Sequence, residues 1–421
     1  MPDRDRLLLR GLFDAAVNAA HPATALTGHL PAPPKGRTVV IGAGKGAAQL
    51  GQAFERLWPG PLSGVIVTRY GHGAVCDRLR VIEAAHPVPD AAGAAATSAL
   101  SAAVQGLGPD DLVVALITGG GSALLPAPVP GLTLDDEIAL NRTLLASGAP
   151  IGAMNAIRKQ LSGIKGGRLA ALARPARVVS LVVSDVPGDD PGQVASGPTV
   201  ASPGGTPEAL AAVADHRIDL PDRLRAALAA APPPPDPTRP DFARDSVRVI
   251  ASAGLSLEAA AHAAAAAGLS AHILSDAVEG EAREVGRVHA ALAREIALRD
   301  RPFAKPCVLL SGGETTVSIG SGPAGRGGRN GEFLLGFALA AQGVAGMTAL
   351  AADTDGIDGS EANAGAFADA TSCDRLRRAG LDPAALLSRH DSWTAFNALG
   401  DLFAPGPTGT NVNDFRAIIL R

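Results

Sequence analysis

A chain of 421 residues with 47% hydrophobic and 19% charged side chains has ordinary globular composition, enough for roughly two to three domains and a sizeable core. The formal net charge of -4 excludes a nucleic-acid binder that relies on bulk basic charge. Cys76, Cys307 and Cys373 are odd in number and outside any C-x-x-C spacing, which argues against a disulfide framework or a thiolate zinc site and fits a reducing cytosol. The opening MPDRDRLLLRGLF has no signal-peptide h-region and no uncharged apolar run reaches membrane-span length, so a cytoplasmic protein without a membrane partner is expected.

Short β-branched runs alternate with alanine-rich helical stretches along the chain. Thr38–Ile41 (TVVI), Val65–Thr68 (VIVT), Leu112–Ile117 (LVVALI), Val178–Val183 (VVSLVV), Val247–Ala251 (VRVIA), Cys307–Leu310 (CVLL) and Met347–Ala351 (MTALA) read as buried parallel strands. Amphipathic helices such as Ser256–Ala267 lie between them, so the class is α/β. Ala231–Ala243, APPPPDPTRPDFA, has six prolines in 13 residues. It continues neither element and reads as a domain boundary, giving domains 1–235 and 236–421.

Each half supplies a glycine turn, a Gly-Gly-Arg and an aspartate cluster in the same order. The first half has TGGGSA (Thr118–Ala123), KGGRLA (Lys165–Ala170) and SDVPGDD (Ser184–Asp190); the second has SGGETT (Ser311–Thr316), GGRNGE (Gly327–Glu332) and DTDGIDG (Asp353–Gly359). Most follow strands, at the edge where open α/β sheets hold ligands. The stretch 311–333 carries eight glycines with Arg326 and Arg329, a density that fits tight turns or an anion bound close to the main chain.

VVIGAGKGAAQLG (Val39–Gly51) leaves three readings open. Strand, Gly42-x-Gly44-x-x-Ala47 and helix match the dinucleotide-binding fingerprint, which points to a reductase. The acidic residue expected at the end of the next strand is absent, however, and VIVTRY offers Arg69, which suits an NADP phosphate. Lys45 inside the turn instead suits a phosphate or carboxylate at a helix N-terminus; the third reading is a tight turn with a solvated lysine.

The aspartates favour phosphoryl transfer, which needs Mg²⁺, cations on the equatorial oxygens and a proton acceptor. Asp185, Asp189, Asp190, Asp353 and Asp355 offer hard oxygen ligands, and Lys45, Arg158, Lys159, Lys165 and Arg329 offer the cations. The competing role for the aspartates is turn and cap formation. His86 in AAHPVPD is a candidate substrate contact.

VIGAGKGAA, TGGGSALL, NAIRKQLSGIKGGRLA, SDVPGDDPGQVASGPT, SGGETTVSI, GGRNGEF, ADTDGIDG and GPTGTNVNDF together resemble the glycerate 2-kinase family, whose C-terminal part is the MOFRL domain. The resemblance runs from about Leu7 to Leu420. It implies a Rossmann-like parallel-sheet N-terminal domain, a C-terminal MOFRL domain with a mixed sheet, and an active site in the interdomain cleft. It also implies transfer of the ATP γ-phosphoryl group to the 2-hydroxyl of D-glycerate, with Mg²⁺ or Mn²⁺ as cofactor and a homodimer as a possible assembly. Members also carry the name hydroxypyruvate reductase, so an NAD(P)H-dependent reductase is the alternative. The catalytic residues implied are Lys45, Arg329 and Asp185. Substrate contacts fall to Lys45, His86, Ser122, Arg158, Lys165 and Arg329, and nucleotide contacts to Gly119, Gly120, Gly121, Ser122, Gly312, Gly313, Glu314, Thr315 and Asn330. Metal ligation falls to Asp189, Asp190, Asp353 and Asp355. Two positions depart from the family pattern: Gln160 stands for the usual His and Gly331 for the usual Gln, which touches substrate specificity more than reaction type.

Overall fold

Runs of Val, Ile and Leu bury both faces of a strand, and this chain arranges them in two sheets. The computed structural model describes residues 2–201, 204–320 and 325–421; positions 321–324 of the glycine-rich stretch lie outside them. β1 (Thr38–Ala43), β2 (Ser63–Arg69), β3 (Leu79–Ala84), β4 (Leu112–Thr118), β5 (Arg177–Val183) and β6 (Ser246–Ala251) form the first sheet in the order β3-β2-β1-β4-β5-β6. The pairs from β3 through β5 are parallel. Strand order reverses between β1 and β4, where Ala43 faces Ile117, and such a reversal opens a crevice beyond the strand ends. Apolar residues of β1, β4 and β5 pack with Leu100, Leu124, Leu125, Leu169 and Val194 in one core.

Further along lie β7 (Ser270–Ser275), β8 (Gly280–Glu281), β9 (Cys307–Gly313), β10 (Thr315–Thr316), β11 (Met347–Asp353), β12 (Gly365–Asp369), β13 (Leu402–Phe403) and β14 (Asp414–Leu420). β8 and β10 make a small ribbon, and the others form a six-stranded sheet ordered β13-β12-β11-β14-β9-β7. Alternate residues along a strand face opposite sides. Leu309, Ala349, Ala351 and Ile418 therefore enter one core, and Val308, Leu310, Leu350, Ala417 and Ile419 the other. The second core also takes Leu9, Leu12, Phe13 and Ala16 from the first helix, Pro2–Ala20, a helical stripe at i, i+3, i+4 and i+7. Phe13 meets Phe403 and Phe415 edge-on at 5.0 and 5.8 Å between centroids.

The seven expected strands and the helix of 256–267 form, the latter as Ala253–Ala266, and the second sheet is mixed as the resemblance implied. Three expectations change. β11 is antiparallel to both neighbours, and β9 is parallel to β7 but antiparallel to β14; a strand buried on both faces reads alike in either direction. The first half of β6 is largely exposed. The compact units are Ala25–Ile250 and Met1–Thr24 with Ala251–Arg421, whereas the expected border was 235/236. The proline-rich segment belongs to the first unit, where Gln160 Nε2 donates to the carbonyls of Ala231 and Pro232 and Arg168 Nη2 to that of Pro232.

Candidate active site

In the unit 25–250 the polar groups gather where β1 and β4 end. Lys45 N donates to Gly119 O at 2.8 Å and Gly46 N to Thr118 Oγ1 at 3.1 Å, tying the two turns together. Gly120 sits at φ 79°, and a Cβ there would lie 2.9 Å from Lys45 Cγ and 3.1 Å from His86 Nε2. A Cβ on Gly119 would lie 1.7 Å from Asp185 Oδ2, so the carboxylate lies directly against this turn. Lys45, His86 and Asp185 thus converge on the glycine turn after β4. Burial, followed by the charges of Lys45 and Arg69, lowers His86 to a pKa of about 4, so the imidazole is neutral near pH 7.

Behind the turn runs a chain of side chains. Ser122 Oγ lies 2.7 Å from Ser196 Oγ, which donates to Asn155 Oδ1 at 3.0 Å. Asn155 Nδ2 donates to Gln193 O and Oε1, while Arg158 donates to Asn155 Oδ1 and Asn141 Oδ1. Arg158 therefore buttresses Asn155, and burial pulls its pKa down from the usual arginine value. Lys165 is not a substrate cation: it is 1% exposed, and its ammonium donates to Leu125 O at 2.7 Å and Glu137 Oε1 at 3.0 Å. Its neighbours in KGGRLA hold backbone, with Gly166 N, Gly167 N and Leu169 N donating to the carbonyls of Ser196, Gly197 and Pro198.

The second unit centres on Arg329 at the start of the helix Arg329–Ala341. Sheet register sets Gly313, Asp414 and Asp353 side by side at the ends of β9, β14 and β11. The guanidinium spans that edge: Nε donates to Asp414 Oδ1 at 2.7 Å, Nη1 to Glu314 Oε1 at 2.6 Å and Nη2 to Asp353 Oδ2 at 2.7 Å. Burial opposes its charge, but the three carboxylates outweigh that and raise its pKa. Asp414 also accepts from Arg416 and from Thr315 N and Oγ1. Asp358 caps the helix by accepting from Asn330 N and Gly331 N; burial, against those two bonds, lifts it to about 6. Burial and the neighbouring Asp355 push Asp353 well above the usual carboxylate range.

Asn330 was expected to touch nucleotide but is fully buried, with Nδ2 donating to Asp414 Oδ1 at 2.8 Å, so it holds the carboxylate instead. Gly312 and Gly313 are ladder residues of β9 opposite Phe415 and Asp414. Arg326 is exposed, forks onto Glu361 and stacks 3.5 Å over Trp393. Both departures from the family pattern have local causes. Gln160 Nε2 clamps Thr206 and the proline-rich segment, and a Cβ on Gly331 would sit 2.5 Å from Ser392 Oγ.

Within neither unit do the expected metal ligands form a cluster of three or more side chains among the described residues. Asp190 accepts from Gly192 N and Asp355 from Ile357 N, both Asx turns. Among the described residues no group of three or more His, Cys, Asp or Glu side chains is arranged to hold a metal.

Asp414, Arg416, Asp358, Asn155, Ser196 and Glu137 were not singled out from sequence. Asp414 was legible only as part of GPTGTNVNDF, since a buried hub depends on strand register. Glu137 carries no local signal at all.

The family described as "Domain of unknown function (DUF4147)" matches residues 8–229, and the MOFRL family matches 307–414. The chain is 35% identical over 415 residues to the D-glycerate 2-kinase of Thermotoga maritima, covering 98% of each chain. A protein of Agrobacterium vitis, 53% identical over 416 residues with 99% of this chain and 94% of that one covered, bears a provisional hydroxypyruvate reductase name. The crystal structure of the Thermotoga maritima glycerate kinase superposes with a TM-score of 0.90 at 34% identity, covering 100% of both chains.

Proposed function

We infer the reaction from the premise that this chain belongs to the glycerate 2-kinase family: it is an ATP-dependent kinase that phosphorylates the 2-hydroxyl of D-glycerate, giving 2-phosphoglycerate and ADP. The observation that carries the chemistry is the meeting of Lys45, neutral His86 and Asp185 on the Gly119–Gly120 turn. Asp185 takes the proton of the 2-hydroxyl as that oxygen bonds to the γ-phosphorus, and the bond to the β,γ-bridging oxygen breaks to release ADP. The transition state spreads charge over the phosphoryl oxygens, so positioned cations do most of the work. Lys45 supplies one fixed cation, and His86 adds a hydrogen-bonding group without further positive charge.

In the other unit, Arg329 is the cation offered to an anion. Its three carboxylate bonds use three of five N–H groups, leaving one on each terminal nitrogen, and the side chain is 21% exposed. The carboxylates fix its orientation, and the two remaining N–H groups are the ones offered to an anion. A divalent cation arriving with the nucleotide would supply charge neutralisation to its phosphates, and would need only one or two protein carboxylates.

The reductase reading has the Gly42-x-Gly44-x-x-Ala47 turn and the name of the Agrobacterium vitis relative behind it. Against it, the N–H groups of Lys45 and Gly46, which a dinucleotide pyrophosphate would need, already donate to Gly119 O and Thr118 Oγ1. Purified protein given Mg-ATP and D-glycerate is expected to release ADP, and with NADPH and hydroxypyruvate to leave NADPH intact. The reverse pattern would overturn the kinase reading.

A further inference from the structure

The backbone of 195–197 is the most unusual near the glycine turn. Ala195, Ser196 and Gly197 follow one another at φ 53°, 59° and 58°, a region that non-glycine residues rarely enter and that persists only when surrounding structure imposes it. Here the N–H groups of Gly166, Gly167 and Leu169 hold the carbonyls of Ser196, Gly197 and Pro198 at 3.0, 2.8 and 3.0 Å. What the distortion delivers is the buried hydroxyl of Ser196, set between Ser122 and Asn155.

The direction of those hydrogen bonds follows from the partners of Asn155. Its Nδ2 faces two acceptors, Gln193 O at 3.0 Å and Gln193 Oε1 at 3.1 Å. Its Oδ1 faces the Arg158 guanidinium, which only donates. A flipped amide would set donor against donor and acceptor against acceptor, so Oδ1 points at Ser196 and receives its proton. The Ser196 oxygen is then left to accept, and the proton on the 2.7 Å contact belongs to Ser122. A serine has one proton; with it directed to Ser196, the half-buried Ser122 hydroxyl presents only lone pairs elsewhere.

An acceptor-only oxygen repels phosphate and carboxylate oxygens and attracts a hydroxyl. D-glycerate has two hydroxyls, of which the reacting one must surrender its proton to the base. We propose that Ser122 is a specificity-determining residue that accepts a hydrogen bond from the non-reacting 3-hydroxyl of the acceptor substrate, with Ser196 and Asn155 as positioning residues that fix its proton. This rests on the kinase reading above and narrows the expectation of Ser122 as a contact to both substrate and nucleotide to one hydroxyl of the acceptor.

The test compares D-glycerate with D-lactate, which lacks the 3-hydroxyl, in wild type, Ser122→Ala, Ser122→Thr and Ser196→Gly. Glycine tolerates the left-handed position, so Ser196→Gly removes the hydroxyl without adding strain. Steady-state kinetics with the acid and Mg-ATP each varied at saturating levels of the other, calorimetric titration of each acid without nucleotide, and thermal melts are recorded together. The preference for glycerate over lactate is expected to fall at least about tenfold in Ser122→Ala and Ser196→Gly, through KM and Kd for glycerate, with KM for ATP unchanged and the preference retained in Ser122→Thr. An unchanged preference in folded variants, or a rise in KM for ATP instead, would overturn the proposal. Wild type that forms no ADP from glycerate would sink the kinase reading, while calorimetry would still report whether Ser122 reads the hydroxyl.

Discussion

Lys45 projects from a turn whose own N–H groups are occupied, so its ammonium, and not the backbone, is what the turn offers an anion. Lys45→Ala should cut turnover by about 10²-fold or more, a loss of roughly 3 kcal/mol of transition-state stabilisation, in a protein whose melting curve is unchanged. Steady-state kinetics on the folded variant check this. The two arginines of GRGGR differ in environment: Arg329 is braced by three carboxylates, and Arg326 lies exposed on Glu361 and Trp393. Arg329→Lys keeps the charge but loses the fork and should lose most turnover at saturating ATP and glycerate, whereas Arg326→Lys should lose little; equal, mild effects would demote Arg329. His86 makes a pH prediction. The unfolded imidazole titrates near 6.5 and the folded one near 4, so the unfolded chain binds the extra proton first. This group's contribution to stability is full at neutral pH and falls away as pH drops from about 6.5 to about 4. NMR should show His86 neutral at pH 5.5, and His86→Gln should flatten that part of the stability profile.

At the scale of elements, the KGGRLA segment shows how an anion-binding pattern can serve the fold. The ammonium of Lys165 pins Leu125 and Glu137, and Glu137 Oε2 accepts from Ala127 N, so one buried pair joins the helix Leu134–Ala146 to the segment after the glycine turn. Truncating one member strands the other without a partner. Lys165→Met should therefore destabilise the protein by about 3–5 kcal/mol in urea unfolding, while Lys165→Met with Glu137→Leu should recover most of that loss. If the single variant were as stable as wild type with reduced turnover, Lys165 would return to the substrate site. A different constraint acts at Gly331, where a Cβ would lie 2.5 Å from Ser392 Oγ and force that side chain to move.

For the molecule as a whole, the first helix is distant in sequence from the sheet it covers, yet it supplies Leu9, Leu12 and Phe13 to that sheet's core and is tied by Arg421 to Asp5 and by Arg6 to Asp401. Neither unit carries a three-ligand metal cluster among the described residues, so folding should not depend on metal even where turnover does. EDTA is expected to abolish ADP formation by stripping the nucleotide of its cation, and to shift the melting temperature by less than about 2 °C. A large drop in melting temperature on chelation would reveal a structural metal.

The sequence by itself determined the α/β class, the seven strands it singled out, the family and the glycine turns, because each rests on local patterning: apolar runs of strand length, turn residues at fixed offsets, motifs read in order. It also indicated Lys45, His86 and Asp185, which the fold brings to one turn. Only the tertiary structure decided the direction of β9 and β11, the placement of the first helix, and which charges are occupied. Lys165 and Arg158 resemble substrate cations until Glu137 and Asn141 arrive from 28 and 17 residues away, and Asp414 becomes a hub only once β14 is inserted between β9 and β11. Burial and hydrogen-bond partnership belong to groups that meet through folding, and no local run of residues encodes which partner will be there.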